Sequence, residues 1–335
     1  MNRIGQNQLV LPSEYLEIVV KTRELLRQNP EWRSRYLSYA HALTQNRDLI
    51  KTVRATFHEW LPLFVYINVT HARNAGSSVI FELRYLGQTV ARLLVKDKVK
   101  ISTAGFDDNN RRDFDCYIAL ASENWDGPAA RAFRGHFKTR PALRNADSCR
   151  GNDEHRVESM MLTEFTRVKN KRLRHIKPVT IGGIRFPMPT PLCASNHKQI
   201  KYSGIYGGGI DILARTGTGG KATHLCIMEL KDENVAAEPP REVMKQAVAY
   251  ATFVRELLRS DAGPGWWNLL GFGGAIPDRL TLYAAVVMPF GSNPDSSFAG
   301  IELPIADDRI QLHFLYFQES QNAVSDFKTS LNDLI

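Results

Sequence analysis

The run "LTLYAAVVMPFG", residues 280–291, constrains this chain more than any other feature. A strand with one face in water alternates apolar and polar side chains; this run is apolar nearly throughout, so it reads as a central strand covered on both faces. Elements able to supply that cover precede it. "GGGIDILARTGTGGKATHLCIMELK", residues 207–231, has two runs rich in strand formers on either side of a Gly/Thr cluster, which reads as a β-hairpin. "EPPREVMKQAVAYATFVRELLRS" then opens with prolines suited to a first turn and repeats Val243, Ala247, Tyr250, Val254 and Leu257 at helical spacing. A hairpin, a helix and a buried strand in that order make this part of the chain a mixture of helix and strand.

The hairpin also carries the chemistry. Its glycine-rich turn ending in Gly220-Lys221 fails the phosphate-loop pattern G-x-x-x-x-G-K-[ST] twice, with Arg215 in place of the first glycine and Ala222 in place of the hydroxyl. A hairpin symmetric about Gly220 opposes residues whose numbers sum to 440, and Asp211 faces Glu229 in that register. Side chains alternate along a strand, so Glu229 and Lys231 share a side with Leu230 behind them. Two carboxylates pressed together in an apolar sheet repel one another, and a divalent cation, which takes hard oxygen ligands, removes the repulsion. The bland alternative leaves both acids at exposed strand ends and Lys231 solvated. On the helix, Gln246 and Tyr250 lie four residues apart and share a face. Their bland reading is a solvated glutamine and a half-buried tyrosine with a satisfied hydroxyl.

An acid in one strand, Glu-x-Lys in the next and Gln-x-x-x-Tyr on the following helix resembles the PD-(D/E)XK (restriction endonuclease-like) nuclease superfamily, in its RecB-like variant with a QxxxY helix. The resemblance covers roughly residues 155–290, and Ile210 stands where the family's name residue is proline. It implies an α/β fold, a restriction-endonuclease-like mixed-sheet core flanked by helices, and a Mg²⁺ site, with Mn²⁺ able to substitute, in which Asp211, Glu229 and the main-chain carbonyl of Leu230 bind the metal. By the same resemblance Lys231 orients or helps deprotonate the attacking water, while Gln246 and Tyr250 position substrate or that water. The family also places a glutamate on a helix before the first strand. "HRVESMMLTEFTRVKN" offers Glu158 and Glu164, and Glu158 is preferred because the family's residue tends to open the helix. The expected activity is metal-dependent hydrolysis of phosphodiester bonds by a DNA endonuclease of restriction or defence type, with DNA placed ahead of RNA by the resemblance alone. Two alternatives stay open: an inactive nucleic-acid-binding or regulatory protein with a nuclease-like core, and a metal-dependent phosphodiesterase acting on small nucleotides.

Charge points to an anionic partner. The formal net charge is +8, and residues 1–150 carry all of it, with 23 Lys and Arg against 15 Asp and Glu. Residues 1–150 therefore read as a basic α+β module that binds or selects nucleic acid, and 151–335 as the catalytic domain. The module shows two helices broken at Pro30, then strands in "LFVYINVT", "SVIFELRYLGQTVARLLV" and "VKIST", with a turn near Gly87. The connecting stretch interleaves Arg131, Arg134, Lys138 and Arg140 with Phe133 and Phe137. Either the cations meet phosphates and the rings stack on bases, or the phenylalanines tuck into the core beneath a solvated basic loop. Arg167, Lys169, Lys171, Arg172 and Arg174 form a second basic cluster after the glutamate helix.

Further on, "AGPGWWNLLGFGGAIPDR" reads as a loop whose Trp266 and Trp267 either wedge into nucleic acid or, the preferred reading, anchor it to the body, and "IQLHFLYF" as a strand before a C-terminal helix, with His313 structural. No apolar run reaches the ~18–20 residues of a membrane span, and "MNRIGQNQLVLPSEYLE" lacks a signal-peptide core. Cys116, Cys149, Cys193 and Cys226 are too widely spaced for a zinc knuckle and fit reduced thiols, so a cytoplasmic location is expected, with no membrane partner. A homodimer is left open.

Overall fold

The structure, a computed structural model, describes residues 7–57, 63–71, 79–85, 87–95, 98–106, 114, 116–139, 153–166, 173, 175–194, 199–217, 223–291, 294–320 and 323–331. Three helices come first, α1 (Asn7–Gln28), α2 (Trp32–Gln45) and α3 (Arg47–Phe57). They lead into an antiparallel sheet whose five strands lie in sequence order: β1 (Phe64–Ile67), β2 (Val79–Tyr85), β3 (Gln88–Val95), β4 (Val99–Ser102) and β5 (Ala121–Asn124). Helices α4 (Pro128–Thr139) and α5 (Asp153–Thr166) follow, then β6 (Ile176–Pro178). Short ladders pair β7 (Met188–Pro189) with β10 (Gly209–Ile210) and β8 (Leu192–Cys193) with β9 (Lys201–Tyr202). The hairpin β11 (Ile212–Thr216) and β12 (His224–Leu230) precedes α6 (Pro240–Leu258) and α7 (Gly263–Leu269). Four strands close the chain: β13 (Thr281–Pro289), β14 (Glu302–Ile305), β15 (Asp308–Ser320) and β16 (Ala323–Thr329).

The second sheet is mixed, in the order β14-β15-β13-β12-β11-β6, with β16 also paired to β15. Its centre is parallel, β12 with β13 and β13 with β15, and its flanks are antiparallel. The strand 281–289 is covered on both faces, as an unbroken apolar run requires. Leu282, Ala284 and Val286 join a core with Val243, Ala247 and Val254 of α6, while Tyr283, Ala285 and Val287 join another with Val157, Met161 and Phe165 of α5. The hairpin has the register read from the sequence, from Ile212 opposite Met228 to Thr216 opposite His224. Residues 218–222 of its turn lie outside the described residues.

The N-terminal half is not packed as a separate unit. Trp32 and Tyr36 of α2 stand edge-on to Phe253 of α6, with ring centroids 5.8 and 5.0 Å away. The Trp266 indole N–H donates to the Tyr36 carbonyl at 2.9 Å, and Arg23 of α1 pairs with Glu256 at 2.8 Å. A boundary at residue 150 would therefore part α1 and α2 from the helices they pack against. Residues 263–269 form a helix where a loop is expected, with Gly263-Pro264 starting it, and its tryptophans anchor the segment to the body.

The expected C-terminal helix is strand β16 instead. The 13-residue β15 offers a free edge along its second half, and β16 pairs there while burying Val324 and Phe327. Edge pairing and burial of two apolar side chains outweigh local helix propensity. Among the described residues no helix is long and apolar enough to cross a membrane.

Candidate metal centre

Asp211 sits at the bend between β10 and β11, where the register continues to Glu229 of β12. The Leu230 backbone N–H donates to Asp211 Oδ2 at 2.9 Å, while the Leu230 side chain is buried in the core beneath α5. Glu229 is 1% exposed. Lys231 lies just past the strand, and its Nζ donates to Glu154 Oε1 at 2.7 Å and to Glu229 Oε1 at 3.3 Å. From α6, Gln246 Nε2 donates to that same Glu229 Oε1. Tyr250, one helical turn on, is buried, with its hydroxyl close to the Gln246 side chain and the Ala194 backbone. The chain passes this hydroxyl so closely that a Cβ at Gly208 would stand 2.6 Å from it, which accounts for glycine at 208.

Glu154, Asp211 and Glu229 each present a carboxylate oxygen, all within 4.8 Å of one another. Burial pushes the Asp211 carboxyl up to about 7, against the pull of Lys231 and with the push of Glu154. Burial, then the charge of Asp211, holds Glu229 well above the usual carboxylate range. Burial disfavours the charge of Lys231, but Glu229, Asp211 and Glu154 outweigh it and raise its pKa. Three acids share one lysine, and burial together with their mutual repulsion favours the protonated forms of Asp211 and Glu229.

Glu229 Oε2 is buried and has no hydrogen-bond partner among the described residues, because Gln246 and Lys231 both use Oε1. A buried acceptor left open beside two further carboxylates is a hard-oxygen donor set, and Mg²⁺ or Mn²⁺ fits it.

The helical acid differs from the expected one. Glu154, in the first turn of α5, joins the cluster; Glu158 lies one turn along, pairs with His155 Nδ1 at 3.3 Å and interacts with Tyr66 and Arg84. Glu164, ten residues beyond Glu154, is about 15 Å further along the helix axis. A signal for Glu154 was present in "NDEHRVE", since acids favour a helix's first turn, where the backbone dipole is positive. The five-stranded sheet sets that turn in place. Gly87, at φ +82° in the β2–β3 turn, lies so close that a Cβ there would be 2.3 Å from the His155 carbonyl oxygen.

The basic residues divide. Arg131 and Lys138 are exposed on α4. Arg134 is corrected from a nucleic-acid contact to a core residue, because its guanidinium lies 3.9 Å from the Trp125 ring centroid, donates to the Trp125 carbonyl and is shut off from solvent. Phe133 and Phe137 are fully buried against each other, with Phe137 also against Tyr85, so no base can stack on them. Arg140, Arg167, Lys169, Lys171, Arg172 and Arg174 lie outside the described residues. Comparison of the chain with protein-family models, with curated proteins and with solved structures found no match.

Proposed function

We propose that the chain is a divalent-metal-dependent nuclease that hydrolyses phosphodiester bonds, with DNA as substrate ahead of RNA. The observation that carries this reading is the convergence of Glu154, Asp211 and Glu229 around Lys231, with an open buried oxygen on Glu229. The order of the motifs, acid, Glu-x-Lys and Gln-x-x-x-Tyr, supports it through the resemblance to PD-(D/E)XK nucleases.

Asp211, Glu229 and Glu154 would hold Mg²⁺ or Mn²⁺, with the Leu230 carbonyl as a further donor. When bound, such an ion lowers the pKa of a coordinated water and neutralises charge on the phosphoryl oxygens. Lys231 has its proton held by three neighbouring carboxylates, so its part is that of a fixed cation and hydrogen-bond donor to water or phosphate rather than a base. Gln246 occupies Glu229 Oε1 and so keeps Oε2 turned to the remaining task, and Tyr250 braces Gln246 from the next turn.

The test is incubation of wild type and Asp211→Ala with plasmid, linear DNA and RNA, in Mg²⁺, Mn²⁺ or EDTA. Cleavage that requires metal and disappears in Asp211→Ala supports the reading. Absence of cleavage of every substrate in both metals, or cleavage that survives Asp211→Ala, refutes it.

A further inference from the structure

A second cleft lies at the other end of the mixed sheet, with a volume of about 960 Å³. Its walls are β6, the end of β11, the starts of β12 and β13, and the segment after α7. His224, on its rim, opens β12, and Lys231 stands beyond the far end of the same strand. Seven residues at about 3.3 Å each put the cleft on the order of 20 Å from the acid cluster.

Three cations line the cleft, Lys177, Arg215 and Arg279, and no aspartate or glutamate is among the described residues that line it. Arg215 Nη1 donates to the Gly271 carbonyl at 2.7 Å, which ties its guanidinium to the wall. Opposite chemistry stands beside this charge. Trp267 and Phe272 are stacked, centroids 4.1 Å apart and planes within 15°, and both line the cleft. Trp267 is 6% exposed, and its indole N–H is buried with no hydrogen-bond partner among the described residues.

We propose that this cleft is a ligand site separate from the acid cluster, and that it takes a nucleotide, with phosphate on the cationic edge and the base against the Trp267–Phe272 wall. Inorganic phosphate alone would leave the aromatic wall unused. An apolar ligand would strip water from three cations and return no charge. A phosphorylated heterocycle answers both needs: the phosphate is met by guanidinium and ammonium groups, and the base offers a flat face to the aromatic wall. The volume lies in the range of small-molecule sites. A free nucleotide and the phosphorylated end of a strand share this chemistry. The inference does not depend on the nuclease reading.

Calorimetric titration of the full chain in EDTA tests it, with AMP, GMP, CMP, UMP, inorganic phosphate, adenosine and 5′-phosphorylated hexathymidylate as probes. At least one nucleotide probe is expected to bind one-to-one, about tenfold or more tighter than phosphate or adenosine. The double variant Lys177→Ala/Arg279→Ala, two exposed positions whose loss spares the core, should weaken that binding about tenfold or more. Phe272→Ala should weaken the nucleotide and leave phosphate unchanged, and Asp211→Asn should change neither. Tighter binding of the hexanucleotide than of any mononucleotide assigns the site to a strand end; the reverse assigns it to a free nucleotide. The proposal falls if no nucleotide binds better than phosphate, if the double variant binds as wild type does, or if Asp211→Asn abolishes binding.

Discussion

Removing one negative charge from the acid cluster should stabilise the metal-free protein. Asp211 has its carboxyl pushed up from 3.8 to about 7, chiefly by burial. Between those two pH values the native state keeps a proton that the unfolded chain has released. The stability this proton confers is therefore full below pH 3.8 and is lost as pH rises towards 7. At about 1.4 kcal/mol per pH unit that window spans roughly 4 kcal/mol. Asp211 keeps partial exposure as a residue, and water screening reduces the figure to about 2 kcal/mol. Asp211→Asn carries no such penalty, and its amide oxygen can still accept from the Leu230 N–H. The assay is urea unfolding of wild type and variant in EDTA from pH 4 to pH 8, read as the difference between the two so that titrating groups remote from the cluster cancel, while Glu229 and Lys231, which feel the Asp211 charge, stay in it. The variants should coincide near pH 4 and diverge until Asp211→Asn is about 2 kcal/mol more stable at pH 8. Added Mg²⁺ should then stabilise wild type and leave the variant nearly unchanged. A pH-independent difference, or a less stable Asp211→Asn at pH 8 in EDTA, would refute the electrostatic account of the cluster.

Lys231→Ala should lower cleavage by about 10²-fold or more while calorimetry still detects Mg²⁺ binding, because a lysine is no ligand for a hard cation; full activity would remove Lys231 from the site. Gly87→Ala sets an L-residue at φ +82° and a methyl 2.3 Å from the His155 carbonyl oxygen, so urea unfolding should show a loss of about 2–4 kcal/mol, and Mg²⁺ affinity should fall with the displacement of Glu154. His313 is held neutral, its pKa lowered from 6.5 to about 4 by burial and then by His224. The unfolded chain takes up a proton in that window and the native state does not, so stability should fall by about 3 kcal/mol as pH drops from 6.5 to 4; His313→Leu should lack this component in the same unfolding assay. A fragment starting at residue 151 should fail to give a cooperative unfolding transition, because it strips α1 and α2 from Phe253 and Trp266; a cooperative transition in the fragment would show that this packing is dispensable.

Local patterns made the centre of the sheet legible. The apolar run at 281–289 can be satisfied only by cover on both faces, and the symmetric spacing of apolar residues about Gly220 admits one register that buries both strands. That register carries Asp211, Glu229 and Lys231 to one place without any knowledge of the rest of the chain. Gln246 and Tyr250 were reached through the family resemblance, and the fold accounts for their place, since a helix that follows β12 and returns to a parallel β13 crosses one face of the sheet. The end of the chain was not. The segment 323–329 has no strong alternation, and what makes it a strand is the exposed edge of β15, a partner far from it in kind though near in sequence.

Glu154 shows how helix periodicity can outrank a weaker local signal and select the wrong acid. A helix periodicity ranks Glu158 and Glu164 above it, because both lie on apolar-facing positions within "VESMMLTEF", and burial of both is what the structure has. Being buried and being at the cluster are different properties. Glu158 spends its burial on His155, with Tyr66 and Arg84 of the five-stranded sheet close by, and so helps to clamp α5 to that sheet. The clamp and the close approach of Gly87 to His155 set how far the first turn of α5 reaches towards β12. Glu154 meets Lys231 because the N-terminal sheet puts it there, across 77 residues of sequence. The basic half of the chain thus contributes to the acidic centre through position as well as through charge, and variants at Arg84 or Gly87 should register at the acid cluster although neither residue belongs to it.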